Sequence, residues 1–168
     1  MARLRKVTSV LSLATPAFAV HVADRQLSLA GASWDRAANK TVVFGASDAV
    51  VVIGYTGVAF VRGKPTDHWI VEKLLGHEVE AAALSLGTAQ AIDVGQALRR
   101  LEHALNNEVA QSWKRAGTAV VACGFQWHRR DPSRVLQTRR PVLYSAEIER
   151  GGDTFVSALL VIGGGHGR

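Results

Sequence analysis

The sequence predicts an α+β protein built mainly from antiparallel sheets. Short β-favouring runs come in pairs close enough for hairpins, two helical periodicities occupy the middle of the chain, and strand-like runs return after Gly117. Paired strands with short connections favour antiparallel ladders over a βαβ winding, which needs a long crossover between neighbouring strands. A length of 168 residues, 48% hydrophobic and 20% charged, suits one domain around one core.

The elements follow in order. Thr8 to Leu13 and Phe18 to Ala23 read as a hairpin about Ala14–Ala17, where Pro16 fixes its own φ and pushes Thr15 towards extended geometry. Thr41 to Phe44 and Ala49 to Tyr55 repeat the arrangement about the turn formers Gly45, Ala46, Ser47 and Asp48. The period then changes. Trp69, Ile70, Lys73, Leu74 and Val79 predict a helix opening at Thr66 or Asp67, either of which could cap it. Asp93 precedes a longer helix, in which Val94, Ala97, Leu98, Leu101, Ala104, Leu105, Val109 and Trp113 recur at three- and four-residue steps through Lys114. Thr118 to Phe125, Val142 to Ile148 and Phe155 to Ile162 are dense in β-branched and aromatic residues and read as the closing strands.

Several function classes are disfavoured by what the chain contains. No apolar run approaches the roughly 18 residues of a bilayer span, so no membrane is expected as a partner. Cys123 is the only cysteine, which excludes an intrachain disulfide and a Cys/His zinc cluster, and its apolar neighbours predict a core thiol. No cofactor or metal is expected. Dinucleotide and P-loop glycine patterns are missing, Gly163 to Gly165 has no helix after it, and neither a G-x-S-x-G elbow nor a His-Glu-x-x-His helix is present.

A net charge of +6 and a pI near 10.1 invite a nucleic-acid reading. The charges are spread, however, and the densest stretch, Arg129 to Arg140, carries Pro132 and Ser133 as a solvated loop would. Nucleic-acid association is therefore an outlying alternative. At the N-terminus Arg3, Arg5 and Lys6 precede a stretch ending in Ala17-Phe18-Ala19, the outline of a secretory signal. Thr8, Ser9, Ser12, Thr15 and Pro16 interrupt its apolar segment, and cleavage after Ala19 would remove the first strand, so a cytoplasmic location is the preferred expectation.

The chemistry gathers at the N-terminal end: a Thr opening the first strand, Val22-Ala23-Asp24-Arg25 closing the second, and Asn39-Lys40-Thr41-Val42 opening the third. This arrangement resembles the proteasome β subunits and the related bacterial two-component protease subunits. Their mature chain begins with Thr on the first strand, followed by an Ala-Asp-Arg-like motif and then a Lys. Asp24 and Lys40 lie 16 and 32 residues after Thr8, spacings that match the family. The segment Val52 to Ala59 resembles the family's apolar strand with a Gly-x-x-Gly-x-Ala stretch.

The resemblance implies an N-terminal-nucleophile (Ntn) hydrolase: a four-layer sandwich of antiparallel sheets flanked by helices, spanning residues 8–168 after a leader or propeptide at 1–7. Thr8 is then the nucleophile, activated by its own α-amine, whose pKa of about 8 is close to neutral. Lys40 lowers the hydroxyl pKa by its field, and Asp24 orients Lys40. Gly54, with Gly57 second, supplies an oxyanion-hole N–H that substrate can approach without a side chain in the way. Peptide or protein substrates and a homo-oligomer, ring-forming in the family, are the implied partners.

Two departures accompany the resemblance. Gly164 stands where the family has a Ser, and the match covers about the first four-fifths of the fold, so the C-terminal part is expected to be truncated relative to the family. Val7 precedes Thr8 where self-cleaving members have Gly, and a β-branched residue there crowds the backbone attack. A catalytically inactive structural or assembly member of the same fold is the competing reading, in which Asp24 and Lys40 form an ordinary ion pair.

Overall fold

The computed structural model describes residues 9–24, 27–29, 32–35, 39–57, 59–79, 92–110, 118–127, 140–148 and 154–161. The chain forms β1 (Val10–Ala14), β2 (Ala19–Ala23), β3 (Leu27–Leu29), β4 (Ala32–Asp35), β5 (Thr41–Gly45), β6 (Ala49–Thr56), β7 (Phe60–Val61) and β8 (Lys64–Pro65). There follow α1 (Thr66–Leu75), α2 (Val94–Glu108), β9 (Ala119–Gln126), β10 (Arg140–Ile148) and β11 (Phe155–Val161). Among the described residues the fold is α+β, with two helices, and every strand pairing is antiparallel.

The central sheet has the order β11-β10-β9-β6-β5. Its faces follow from the two-residue period of a strand. Val42, Phe44, Val51, Ile53, Tyr55, Val120, Ala122, Val142, Tyr144 and Ala146 are buried on one face, packed with Trp69, Ile70 and Leu74 of α1 and Val94, Ala97, Leu98, Leu101 and Leu105 of α2. The opposite face carries Val52, Gly54 and Cys123 and receives the β1–β2 hairpin, which lies against β6, β9 and β10. Helices, central sheet and hairpin are thus three successive layers.

Both helix ends have local causes. Gly76 takes the left-handed conformation, φ 82°, and donates its N–H to the Glu72 carbonyl at 2.7 Å, which stops α1 short of the expected Val79. The expected cap at Thr66 or Asp67 is replaced by Pro65 at the N-cap position with no side-chain bond; the Thr66 N–H instead reaches the Ala59 carbonyl at 3.0 Å. Asp93 does cap α2, accepting from the Gln96 N–H at 2.7 Å. That helix ends at Glu108, before the expected Lys114, because Val109 is extended and buried.

Two short antiparallel pairs, β3–β4 and β7–β8, have no counterpart in the sequence reading. Cys123 is fully buried, as expected of a core thiol. Among the described residues no helix is long and apolar enough to cross a membrane.

Candidate functional site

The inner face of the hairpin carries two polar side chains among small apolar ones. Val10, Ser12 and Ala14 of β1 and Ala19, His21 and Ala23 of β2 face the central sheet, in the register Val10↔Ala23, Ser12↔His21 and Ala14↔Ala19. Ser12 Oγ and His21 Nδ1 are 2.8 Å apart, and the Cys123 thiol donates to the Val20 carbonyl at 3.3 Å. His21 Nε2 is buried without a partner among the described residues. An unmet acceptor is commoner in folded proteins than an orphaned N–H, so the tautomer that fits places the proton on Nδ1, donated to Ser12. Burial lowers the pKa of the imidazole.

His21 lies directly over Gly54. A Cβ at that glycine would collide with His21 Nε2 and Cε1 and come within 3.1 Å of Val10 Cγ1. Gly54 therefore fixes how closely the hairpin approaches the sheet. It sits inside β6, opposite Thr41 of β5 on one side and Val121 of β9 on the other. Gly57 is a turn residue just past the strand, at φ 90°, where a Cβ would lie 2.7 Å from Thr118 Oγ1. Each glycine thus has a packing role of its own.

Lys40 stands immediately before Thr41 and is only 3% exposed. The preceding residue is pinned from several sides. Tyr55 Oη donates to the Asn39 carbonyl at 2.9 Å, Asn39 Nδ2 donates to Asp67 at 3.2 Å, and Asn39 Oδ1 accepts from the Thr41 N–H at 3.3 Å. Burial lowers the Lys40 pKa, and the Asp24 carboxylate opposes that shift. Asp24 is exposed at the end of β2, its N–H held by the Ser9 carbonyl at 3.0 Å.

Asp24, Lys40 and Gly54 are therefore drawn to one place, the open end of the hairpin where β1 begins. Ser9–Asp24 closes it from above, Thr41↔Gly54 forms its floor, and Val10 rests on that floor. Gly57, three residues beyond Gly54, borders Thr118. Thr8, Val7 and Gly164 lie outside the described residues, as does the arginine-rich stretch except for Arg140. Ser12 and His21 were not singled out from sequence as parts of this place, and Asn39 and Tyr55 stood in the quoted motifs without a role of their own. The alternation of β1 and β2 gave no signal for Ser12 and His21, since Leu11, Leu13, Val20 and Val22 are the more apolar set and a two-residue period would turn the polar pair outward.

A groove of about 750 Å³ opens elsewhere, on the helical side of the sheet, between α1 and α2. Its charges largely satisfy one another: Lys64 pairs with Glu72 at 2.9 Å and Glu78 at 3.1 Å, and Lys73 pairs with Glu108 at 2.7 Å. Trp69 Nε1 also donates to Glu108, at 3.0 Å. Burial disfavours ionisation of Glu108, but the hydrogen bonds from Lys73 and Trp69 and the charges of Lys73 and Arg62 outweigh it and keep the carboxyl below its ordinary range. This network ties the two helices together. Among the described residues no group of three or more His, Cys, Asp or Glu could hold a metal ion.

No protein-family model, no curated protein and no solved structure gives a significant match to this chain.

Proposed function

We propose that the chain is a proteasome-β-like Ntn hydrolase domain that cleaves peptide bonds by threonine attack. Thr8 supplies the hydroxyl and its own α-amine takes the proton, giving an acyl-enzyme ester that water hydrolyses. The observation that carries this reading is the meeting of Asp24, buried Lys40 and Gly54 at the start of β1, next to Ser9. A lysine held in a partly dry setting places positive charge beside a developing alkoxide at no cost of reorganisation. Asp24 at the mouth keeps that charge in place. The antiparallel α+β architecture is compatible with the proposed sandwich, and a homo-oligomer is part of the reading.

The chemistry needs Thr8 at a free chain terminus. Intact-mass measurement of the purified protein tests this: a species beginning at Thr8 supports the hydrolase, and a stable chain retaining Met1 to Val7 sinks it. Given the processed species, Thr8→Ala abolishes hydrolysis of peptide amides. Val7 favours the second reading, an inactive structural or assembly member, because a β-branched residue crowds self-cleavage. An unprocessed chain that still folds and assembles is the result this second reading expects.

A further inference from the structure

The β1–β2 hairpin is built with its more apolar side outward. Leu11, Leu13, Val20 and Val22 point away from the central sheet and are 67%, 49%, 44% and 56% exposed, while Ser12 and His21 point in. Phe18, at the turn, adds another half-exposed ring. The four strand residues form two cross-strand pairs, Leu11↔Val22 and Leu13↔Val20, and so make one continuous patch.

We propose that this face is an isologous interface, at which two copies of the chain pack hairpin against hairpin. The area fits. The five side chains present on the order of 500 Å² of apolar surface, at the upper end of what a monomer ordinarily exposes in one patch. A stable dimer of standard size buries about 800 Å² per partner, of which roughly 65%, again about 500 Å², is apolar in homodimers. The patch alone supplies that apolar part.

Charge points to a second copy as the occupant. The chain carries a net +6, so two copies repel unless they meet where neither is charged. Ser9 to Ala23 contains no Lys, Arg, Asp or Glu. Natural sheets place Lys or other charges on strands that must stay unpaired with a neighbour, and this hairpin has none. A two-by-two array of branched side chains is also self-complementary: a two-fold axis through its centre sets the Leu11↔Val22 pair of one copy on the Leu13↔Val20 pair of the other. Two such ribbons stack at the usual spacing of about 10 Å, and the partner becomes the layer outside the hairpin.

The inference does not rest on the hydrolase reading, and its test uses no activity. Sedimentation velocity of the full chain at tens of micromolar is expected to give a species containing paired copies. Leu11→Lys and Val22→Lys, each at a site exposed in the single copy, are expected to halve its mass with unchanged circular dichroism and to raise the dissociation constant at least 100-fold. Phe60→Lys, at an exposed apolar residue of β7 outside the hairpin, leaves the assembly intact. A wild-type chain that stays monomeric at this concentration, or an assembly that survives both hairpin lysines, overturns the proposal. Should either lysine variant misfold, Leu13→Ser and Val20→Ser take its place with the same expectations.

Discussion

At Gly54 one missing methyl group decides how the hairpin sits on the sheet. A Cβ there collides with the His21 ring, which is held on its other side by Ser12, so the ring must leave its partner or the hairpin must lift. Gly54→Ala is expected to cost about 1–3 kcal/mol by overpacking. His21→Ala removes the obstacle and opens a gap that the new methyl partly fills. The double variant should then recover at least about 1 kcal/mol relative to additivity, measured by urea unfolding in a double-mutant cycle. Simple additivity would show that His21 and Gly54 are not in contact. Lys40 presents the opposite case, a buried charge whose removal is cheap for the fold. Its partner Asp24 is exposed and does not strand a buried carboxylate when left alone, so Lys40→Met should change stability by less than about 1 kcal/mol. On the proposed hydrolase reading, the same change should lower amide hydrolysis by a chain processed to Thr8 by at least about 100-fold, since it removes the charge beside the proposed nucleophile. A large loss of stability with unaltered turnover would make Lys40 a structural residue only.

At the scale of elements, Asp48 shows how a turn positions a helix. It lies in the β5–β6 loop, where one carboxylate oxygen accepts from the buried Val94 N–H at 2.8 Å and the other from Gln126 Nε2, also at 2.8 Å. Its own carbonyl accepts from the Trp127 N–H at 2.8 Å. One side chain thus satisfies an orphan donor of the first turn of α2 and ties the end of β9 to the same loop. Asp48→Ala should cost about 2–3 kcal/mol, because the Val94 N–H is left buried and unpaired, and Asp48→Asn about half of that, since one acceptor oxygen remains. Equal urea midpoints for wild type and Asp48→Ala would show that another group replaces the bond. The sequence already exposed much of this element: the stripe from Val94 to Leu105 and the Asp93 cap are local, periodic signals. What it did not expose is tertiary. Asp48 reads as a turn former until α2 is brought to it, α1 is started by Pro65 and a bond to Ala59 where Thr66 or Asp67 was the local choice, and β3–β4 and β7–β8 are too short for a two-residue period to be seen. The candidate site divides in the same way: Asp24, Lys40 and Gly54 were legible as motif positions, whereas Ser12, His21 and the Tyr55 anchor of Asn39 acquire meaning only when hairpin and sheet meet.

Over the whole molecule, the contact between hairpin and sheet makes stability depend on pH in a way that one residue controls. Burial lowers the His21 pKa from its ordinary 6.5, so the unfolded chain binds a proton there more readily than the folded one. The stabilisation is fully present above about pH 6.5 and is lost as pH falls towards the folded-state value. Glu108 acts in the same direction but lower. Its carboxyl is held below the ordinary 4.5, so the pairing of α1 with α2 contributes fully above that value and weakens as pH drops through the lowered one. Acid should therefore act in two stages, first on the hairpin layer and then on the helical layer. Between about pH 7 and 5.5 the unfolding free energy should fall in the wild type, and His21→Gln, which cannot take up a proton, should remove that part of the slope while leaving the decline below about pH 4.5. Amide exchange locates the first stage: protection of β1 and β2 should drop in the upper window while β9 and α2 stay protected. Since β2 runs into Asp24 just past its last residue and carries Val20 and Val22, the same protonation should loosen both the mouth of the candidate site and the proposed pairing face. A wild type and a His21→Gln variant with identical slopes between pH 7 and 5.5 would remove His21 from this account.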